Sequence, residues 1–146
     1  SVEQATGGLN DRPRFACVGT NAMNDYNVNR ATRGLVGYLQ HWIKKNHSLT
    51  RVRIVFCHDT RHFSRDFAES CAKIAADLGA EVFLFDSPRA TPVMSFAIRH
   101  MDCHAGVMIT ASHNPAHDNG YKVNFPAGLM TGGTIMSRSF SKCLCH

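Results

Sequence analysis

Apolar residues recur at helical spacing in several stretches of this chain, and short runs of β-branched and aromatic residues separate them. From Asn27, the positions Val28, Ala31, Leu35, Leu39 and Trp42 fall at intervals of three or four, which predicts an amphipathic helix. Asn27 is placed to cap its start, and Lys44 and Lys45 stand where cations favour a helix C-terminus. Val52–Cys57 then reads as a strand. Phe67, Cys71, Ile74, Ala75 and Leu78 resume the helical period, with Ser64 available as a cap and Gly79 as a stop. Glu81–Phe85 reads as a second strand. Thr91-Pro92 opens a third helix, because proline's missing N–H costs nothing in a first turn. Val93, Phe96 and Ala97 are expected on its inward face. Ala105–Thr110 has the composition of a buried strand, and Tyr121–Phe125 that of a shorter one after a loop rich in Asn, His, Pro and Gly.

Strands that alternate with helices imply βαβ units. The expected fold is therefore α/β: a three-layer α/β/α sandwich with a mostly parallel, mixed sheet in which the runs beginning at Val52, Glu81 and Ala105 are neighbours. Leu35, Leu39, Val55, Phe67, Ile74, Leu78, Val107 and Ile109 are the expected core. A length of 146 residues suits one domain spanning 1–146. Residues 1–24 lack clear periodicity and Pro126–His146 mixes Gly, Ser and Met without a pattern, so neither end is expected to be well fixed.

Composition narrows the function classes. No run of about 18 apolar residues exists, and the first residues do not follow a basic stretch with an apolar one, so no membrane span or signal peptide is expected and the chain reads as cytoplasmic. The six cysteines are scattered through the elements rather than framing short loops, which favours free thiols. A formal charge of +5 is compatible with an anionic partner. The basic residues are dispersed and do not interleave with aromatics as in a nucleic-acid groove, so no nucleic-acid partner is expected. Cys143-Leu144-Cys145-His146 matches no standard zinc spacing.

In an open α/β sheet, ligands gather beyond the carboxyl ends of the parallel strands. Thr110-Ala111-Ser112-His113-Asn114-Pro115 sits there, directly after the expected strand. This makes Ser112 a candidate nucleophile. Adjacent residues on extended backbone point to opposite sides, so a hydrolase-type Ser–His pair of Ser112 and His113 is not implied, and no G-x-S-x-G elbow is present. The loop instead sets a hydroxyl among donors: His113, the Asn114 amide and the ammonium of Lys122. A phosphoryl group requires such a gathering of positive charge and hydrogen-bond donors.

Thr110-Ala111-Ser112-His113-Asn114-Pro115, followed by Asp118-Asn119-Gly120-Tyr121-Lys122, closely resembles the phosphoserine loop of the α-D-phosphohexomutases, the phosphoglucomutase/phosphomannomutase family. Asp59-Thr60-Arg61 with Ser64 resembles that family's strand-end D-T-R-x-x-S. Thr91-Pro92 with Ser95-Phe96-Ala97 and Arg99 resembles the segment that leads to its active-site strand. Gly19-Thr20-Asn21-Ala22-Met23-Asn24 and Ala31-Thr32-Arg33-Gly34-Leu35 are similar to the phosphoglucomutase branch. The likeness runs from about Gly19 to Phe125 and is to the family's N-terminal domain.

The resemblance implies that Ser112 passes a phosphoryl group to a hexose phosphate, interconverting the 1- and 6-phosphates through a hexose 1,6-bisphosphate. His113 and Lys122 would assist proton transfer and charge stabilisation, and Thr110, Asn114 and Arg61 would belong to the substrate and phosphate loop. Mg²⁺ would be held by the Ser112 phosphate together with carboxylates. Thr6-Gly7-Gly8-Leu9 is similar to the family's substrate loop, but Asn10 stands where the family has arginine. The metal loop, sugar-selecting loop and phosphate-binding domain of the family have no counterpart in the sequence, so the expected partners are a hexose phosphate and those further domains, and no membrane. The alternative expectation is a non-catalytic sugar-phosphate-binding module or an inactive fragment.

Overall fold

The computed structural model describes residues 23–46 and 51–126. The expectations for the chain ends, the Thr6–Leu9 stretch, Gly19–Ala22 and the cysteines at 17, 143 and 145 lie outside those residues. Among the described residues, the order is α1 (Asp25–Asn46), β1 (Arg53–His58), α2 (Ser64–Asp77), β2 (Glu81–Leu84), α3 (Thr91–His100), β3 (Ala105–Ile109) and β4 (Tyr121–Asn124). The sheet order is β2-β1-β3-β4. β1 pairs parallel with both β2 and β3, and β4 closes the edge antiparallel to β3. The three expected parallel strands are therefore neighbours, in the mixed α/β/α arrangement that their alternation with helices implies.

Alternation along the strands divides the interior in two. Ile54 and Phe56 of β1 and Ala105, Val107 and Ile109 of β3 pack with Val28, Leu35, Val36, Leu39 and Ile43 of α1 and with Phe67, Ala68, Cys71 and Ala75 of α2. On the other face Val55, Cys57 and Met108 meet Met94, Ala97 and Ile98 of α3. Gly106 permits that approach: a Cβ there would stand 2.6 Å from Ile98 Cδ1 and 3.2 Å from Met94 Cγ.

Val28, Leu35 and Leu39 of α1 and Ala97 of α3 are buried as expected, but other positions of these two helices differ from expectation. In α1 the buried face is Val28, Thr32, Leu35, Val36, Leu39 and Ile43, while Ala31 is exposed. Thr32 can be buried because its hydroxyl donates to the Val28 carbonyl at 2.8 Å, so no polar group is stranded. In α3, Val93 and Phe96 are 40% and 58% exposed and the inward residues are Met94, Ala97 and Ile98. The unbranched Met94 and the slender tip of Ile98 fit over Gly106 where a phenyl ring would not. Ile74 and Leu78 of the expected core are half-buried at the rim of α2; the other six are buried.

The caps differ too. Asn24, not Asn27, starts α1, its Oδ1 accepting the Asn27 N–H at 2.9 Å. Ser64 is the first residue of α2 and not its cap. The N-cap position belongs to Phe63, held left-handed at φ 59 with no side-chain cap bond. Gly79, at φ 85, does end α2: its N–H bonds Ala76 O, and the Ala80 N–H bonds Ala75 O. This double closure needs a left-handed residue at Gly79. No helix among the described residues is long and apolar enough to cross a membrane.

Candidate functional site

β1 and β3 run parallel and end in register, His58 opposite Ile109. The loops that follow them, 59–63 and 110–120, therefore emerge side by side at the carboxyl edge of the sheet, the usual place for a ligand in this class of fold. Side-chain and backbone contacts knit them. Ser64 Oγ donates to Ile109 O at 2.7 Å and lies 3.3 Å from the Asp59 N–H, which also meets Ile109 O at 3.3 Å. Asn119 Nδ2 donates to His62 O at 2.6 Å, and the His62 N–H to Ala116 O at 3.2 Å. Ser64 and Asn119 are buried; the Ser64 hydroxyl and the Asn119 Nδ2 are satisfied by these bonds, while Asn119 Oδ1 has no hydrogen-bond partner among the described residues.

Ser112 stands at the turn of the longer loop, exposed and left-handed at φ 57. A non-glycine residue holds that conformation only when its surroundings fix it. Three groups do so. The Ser112 N–H bonds Thr110 Oγ1 at 3.1 Å, Arg61 Nη2 donates to Ser112 O at 2.6 Å, and Lys122 Nζ donates to Ser112 Oγ. Lys122 reaches the hydroxyl because β4 returns antiparallel to β3, setting Lys122 opposite Met108. The return is tight. Thr110 N–H bonds Gly120 O at 2.9 Å, and a Cβ on Gly120 would lie 2.8 Å from Thr110 O.

The remaining expected site residues divide by role. Asn114 is exposed, and its Nδ2 donates to Asp118 Oδ2 at 3.1 Å, so its amide organises the loop. His113 is exposed beside Ser112. Arg61 lies beneath the loop, paired with Asp59 at 3.0 Å and donating to the loop's carbonyls. Ser112, Lys122, Thr110 and Arg61 are thus brought together, with His113 and Asn114 on the same loop. Sequence reading assigned no such roles to Asp59, Ser64, Asp118 and Asn119. Their sole signal was membership in the two ordered strings, because the partners they hold are mostly backbone atoms. His58 was not singled out at all. It is buried, with Nδ1 3.1 Å from Asp59 O and Nε2 without a hydrogen-bond partner.

Among the described residues no group of three or more His, Cys, Asp or Glu side chains is disposed to hold a metal ion. The two carboxylates nearest the loop are already engaged, Asp59 with Arg61 and Asp118 with Asn114.

A mixed α/β/α domain of this kind has known counterparts. Residues 16–138 match the model of phosphoglucomutase/phosphomannomutase, alpha/beta/alpha domain I. The chain belongs to the phosphoglucomutase/phosphomannomutase family. A phosphoglucomutase from Staphylococcus epidermidis is 42% identical over 106 residues, covering 73% of this chain and 18% of that protein. A probable phosphomannomutase from Haemophilus influenzae is 41% identical over 115 residues, 79% of this chain and 22% of its own. Among solved structures, one from Thermus thermophilus, assigned as a phosphomannomutase, superposes with a TM-score of 0.57 at 33% identity, covering 67% of this chain and 21% of that one. The chain therefore spans about a fifth of the length of the family members it matches.

Proposed function

We propose that this domain supplies the phosphoryl-carrying serine of a phosphohexomutase, and that Ser112 is that serine. The carrying observation is the contact of the Lys122 ammonium with Ser112 Oγ at the end of β3, on a residue held left-handed and exposed. An alcohol fixed against a cation is suited to bear a phosphate, since the ammonium sits where the ester's negative charge will be. In this reading the P–Oγ bond of phosphoserine breaks as a bond forms from phosphorus to a sugar hydroxyl oxygen. The sugar's proton leaves to a base, for which exposed His113 is the group at hand, and Ser112 Oγ regains a proton. The resulting hexose bisphosphate returns its other phosphate to Ser112, exchanging the 1- and 6-positions.

Mg²⁺ requires about six oxygen ligands, and the described residues do not form such a site. A Ser112 phosphate offers oxygen from this domain, and the carboxylates must come from elsewhere. Hence the proposed partners are a hexose phosphate and the further domains found in longer relatives. The test is a chimera in which this chain replaces the matching segment of the S. epidermidis phosphoglucomutase. Isomerisation of glucose 1-phosphate that disappears with Ser112→Ala supports the reading. Activity that survives Ser112→Ala refutes it, and a folded, inactive chimera favours the non-catalytic alternative.

A further inference from the structure

Arg61 grips the Ser112 loop from beneath. Its Nη1 donates to the carbonyls of Asn114 at 2.8 Å, Pro115, and Asp118 at 3.4 Å, and its Nη2 to that of Ser112 at 2.6 Å. Both oxygens of Asp59 hold it in place, one on the Arg61 backbone N–H and one on Nε, each at 3.0 Å. A guanidinium has five N–H donors in a rigid planar fork and no acceptor. Nε–H, both Nη1 hydrogens and one Nη2 hydrogen are thereby engaged within the protein. The side chain is only 10% exposed. Little of it is left to bind a ligand directly.

The grip has a second consequence. The described chain contains no cis peptide, so the C=O and N–H of each peptide point in opposite directions. Drawing the Ser112 carbonyl onto Arg61 turns the His113 N–H away from the guanidinium. Drawing in the Pro115 carbonyl does the same for the Ala116 N–H. The same contact restrains Ser112 in its left-handed conformation, which a serine otherwise leaves.

We infer that Arg61, anchored by Asp59, is a positioning residue that sets the conformation of the Ser112 loop through its carbonyls and contacts no substrate. The inference rests on the reading of Ser112 as phosphoryl carrier for its functional part, but not for its structural part. Hydrogen exchange on the full chain tests the structural part with Arg61→Lys, Arg61→Ala and Asp59→Asn. Amides of 110–120 should exchange at least about tenfold faster while those of β1 and α2 stay unchanged. Lysine should not restore protection, because one ammonium cannot span four carbonyls. If Arg61→Ala also loosens β1 and α2, Asp59→Asn, which keeps the side chain's size, decides on the same readout. Unchanged loop exchange in both overturns the clamp.

In the S. epidermidis chimera, Arg61→Lys should lower kcat by about 100-fold, the usual consequence of a displacement near 1 Å, with KM within about threefold. A rise in KM at unchanged kcat would show a substrate ligand instead and overturn the inference. Activity surviving Ser112→Ala would remove the phosphoserine reading alone, leaving the exchange result to decide the clamp.

Discussion

The hydrogen bond between α1 and β4 gives a sharp test of how this domain tolerates buried polar groups. Thr32 is 0% exposed and its Oγ1 donates to Val28 O at 2.8 Å. A hydroxyl has one proton, so the 3.1 Å contact of Thr32 Oγ1 with Tyr121 Oη must run from the tyrosine to the threonine. The two single deletions are therefore unequal. Tyr121→Phe removes a donor and leaves the threonine proton placed, at a cost of about 0.5–1.5 kcal/mol, the net worth of an ordinary bond. Thr32→Val, nearly isosteric, strands a buried phenol O–H and should cost about 1–3 kcal/mol. The double variant leaves neither group stranded, so it should cost about 1 kcal/mol less than the sum. Cys71 beside them does not complicate the cycle at neutral pH, since burial pushes its thiol up to about 12 and raises the Tyr121 phenol as well. The assay is urea unfolding of the four proteins at pH 7. Additivity within about 0.3 kcal/mol, or a Tyr121→Phe cost above that of Thr32→Val, would refute the donor assignment.

Three further outcomes follow from the packing. Gly120→Ala places a Cβ 2.8 Å from a backbone oxygen that cannot step aside, so it should destabilise by about 1–3 kcal/mol, measured by the same unfolding assay. Leu39→Ala, fully buried, should cost about 2–5 kcal/mol, while Phe96→Ala, on the outer face of α3, should stay within about 0.5 kcal/mol; the reverse ranking would contradict the observed helix phase. For pH, Cys71 and Tyr121 keep their protons in the folded chain above their ordinary values of 9.0 and 10.0. The unfolded chain loses them first, so stability should be undiminished by these groups below about pH 9 and should fall as pH rises from there toward 12. The urea midpoint between pH 8 and pH 11 reads this directly, and Cys71→Ala should make the decline shallower.

Much of the fold was legible because alternating helical and strand periods leave few arrangements for a chain of this size. What periodicity could not set was every position of the inward faces. Ala31 and Thr32 differ by one step around α1, and choosing by residue class favours the alanine; the threonine is inside because its hydroxyl is satisfied within its own helix. In α3 size misled in the same way, since Phe96 is the largest apolar residue but the narrow contact with Gly106 takes Met94 and Ile98. The Ser112 loop was legible as an ordered string. The parts that hold it, Arg61 on carbonyls, Ser64 on Ile109 O and Asn119 on His62 O, act through backbone atoms. Such atoms are the same at every position, so side-chain pattern carries no sign of them.

If Ser112 bears the phosphoryl group, its phosphate can be observed on the protein. The direct measurement is peptide mapping by mass spectrometry of the S. epidermidis chimera, quenched after incubation with glucose 1,6-bisphosphate, beside its Ser112→Ala variant. One phosphate is expected on the peptide containing Ser112, absent from the variant and removed on chase with glucose 1-phosphate. Phosphate on another residue, or turnover with Ser112 unmodified throughout, would contradict that role for Ser112.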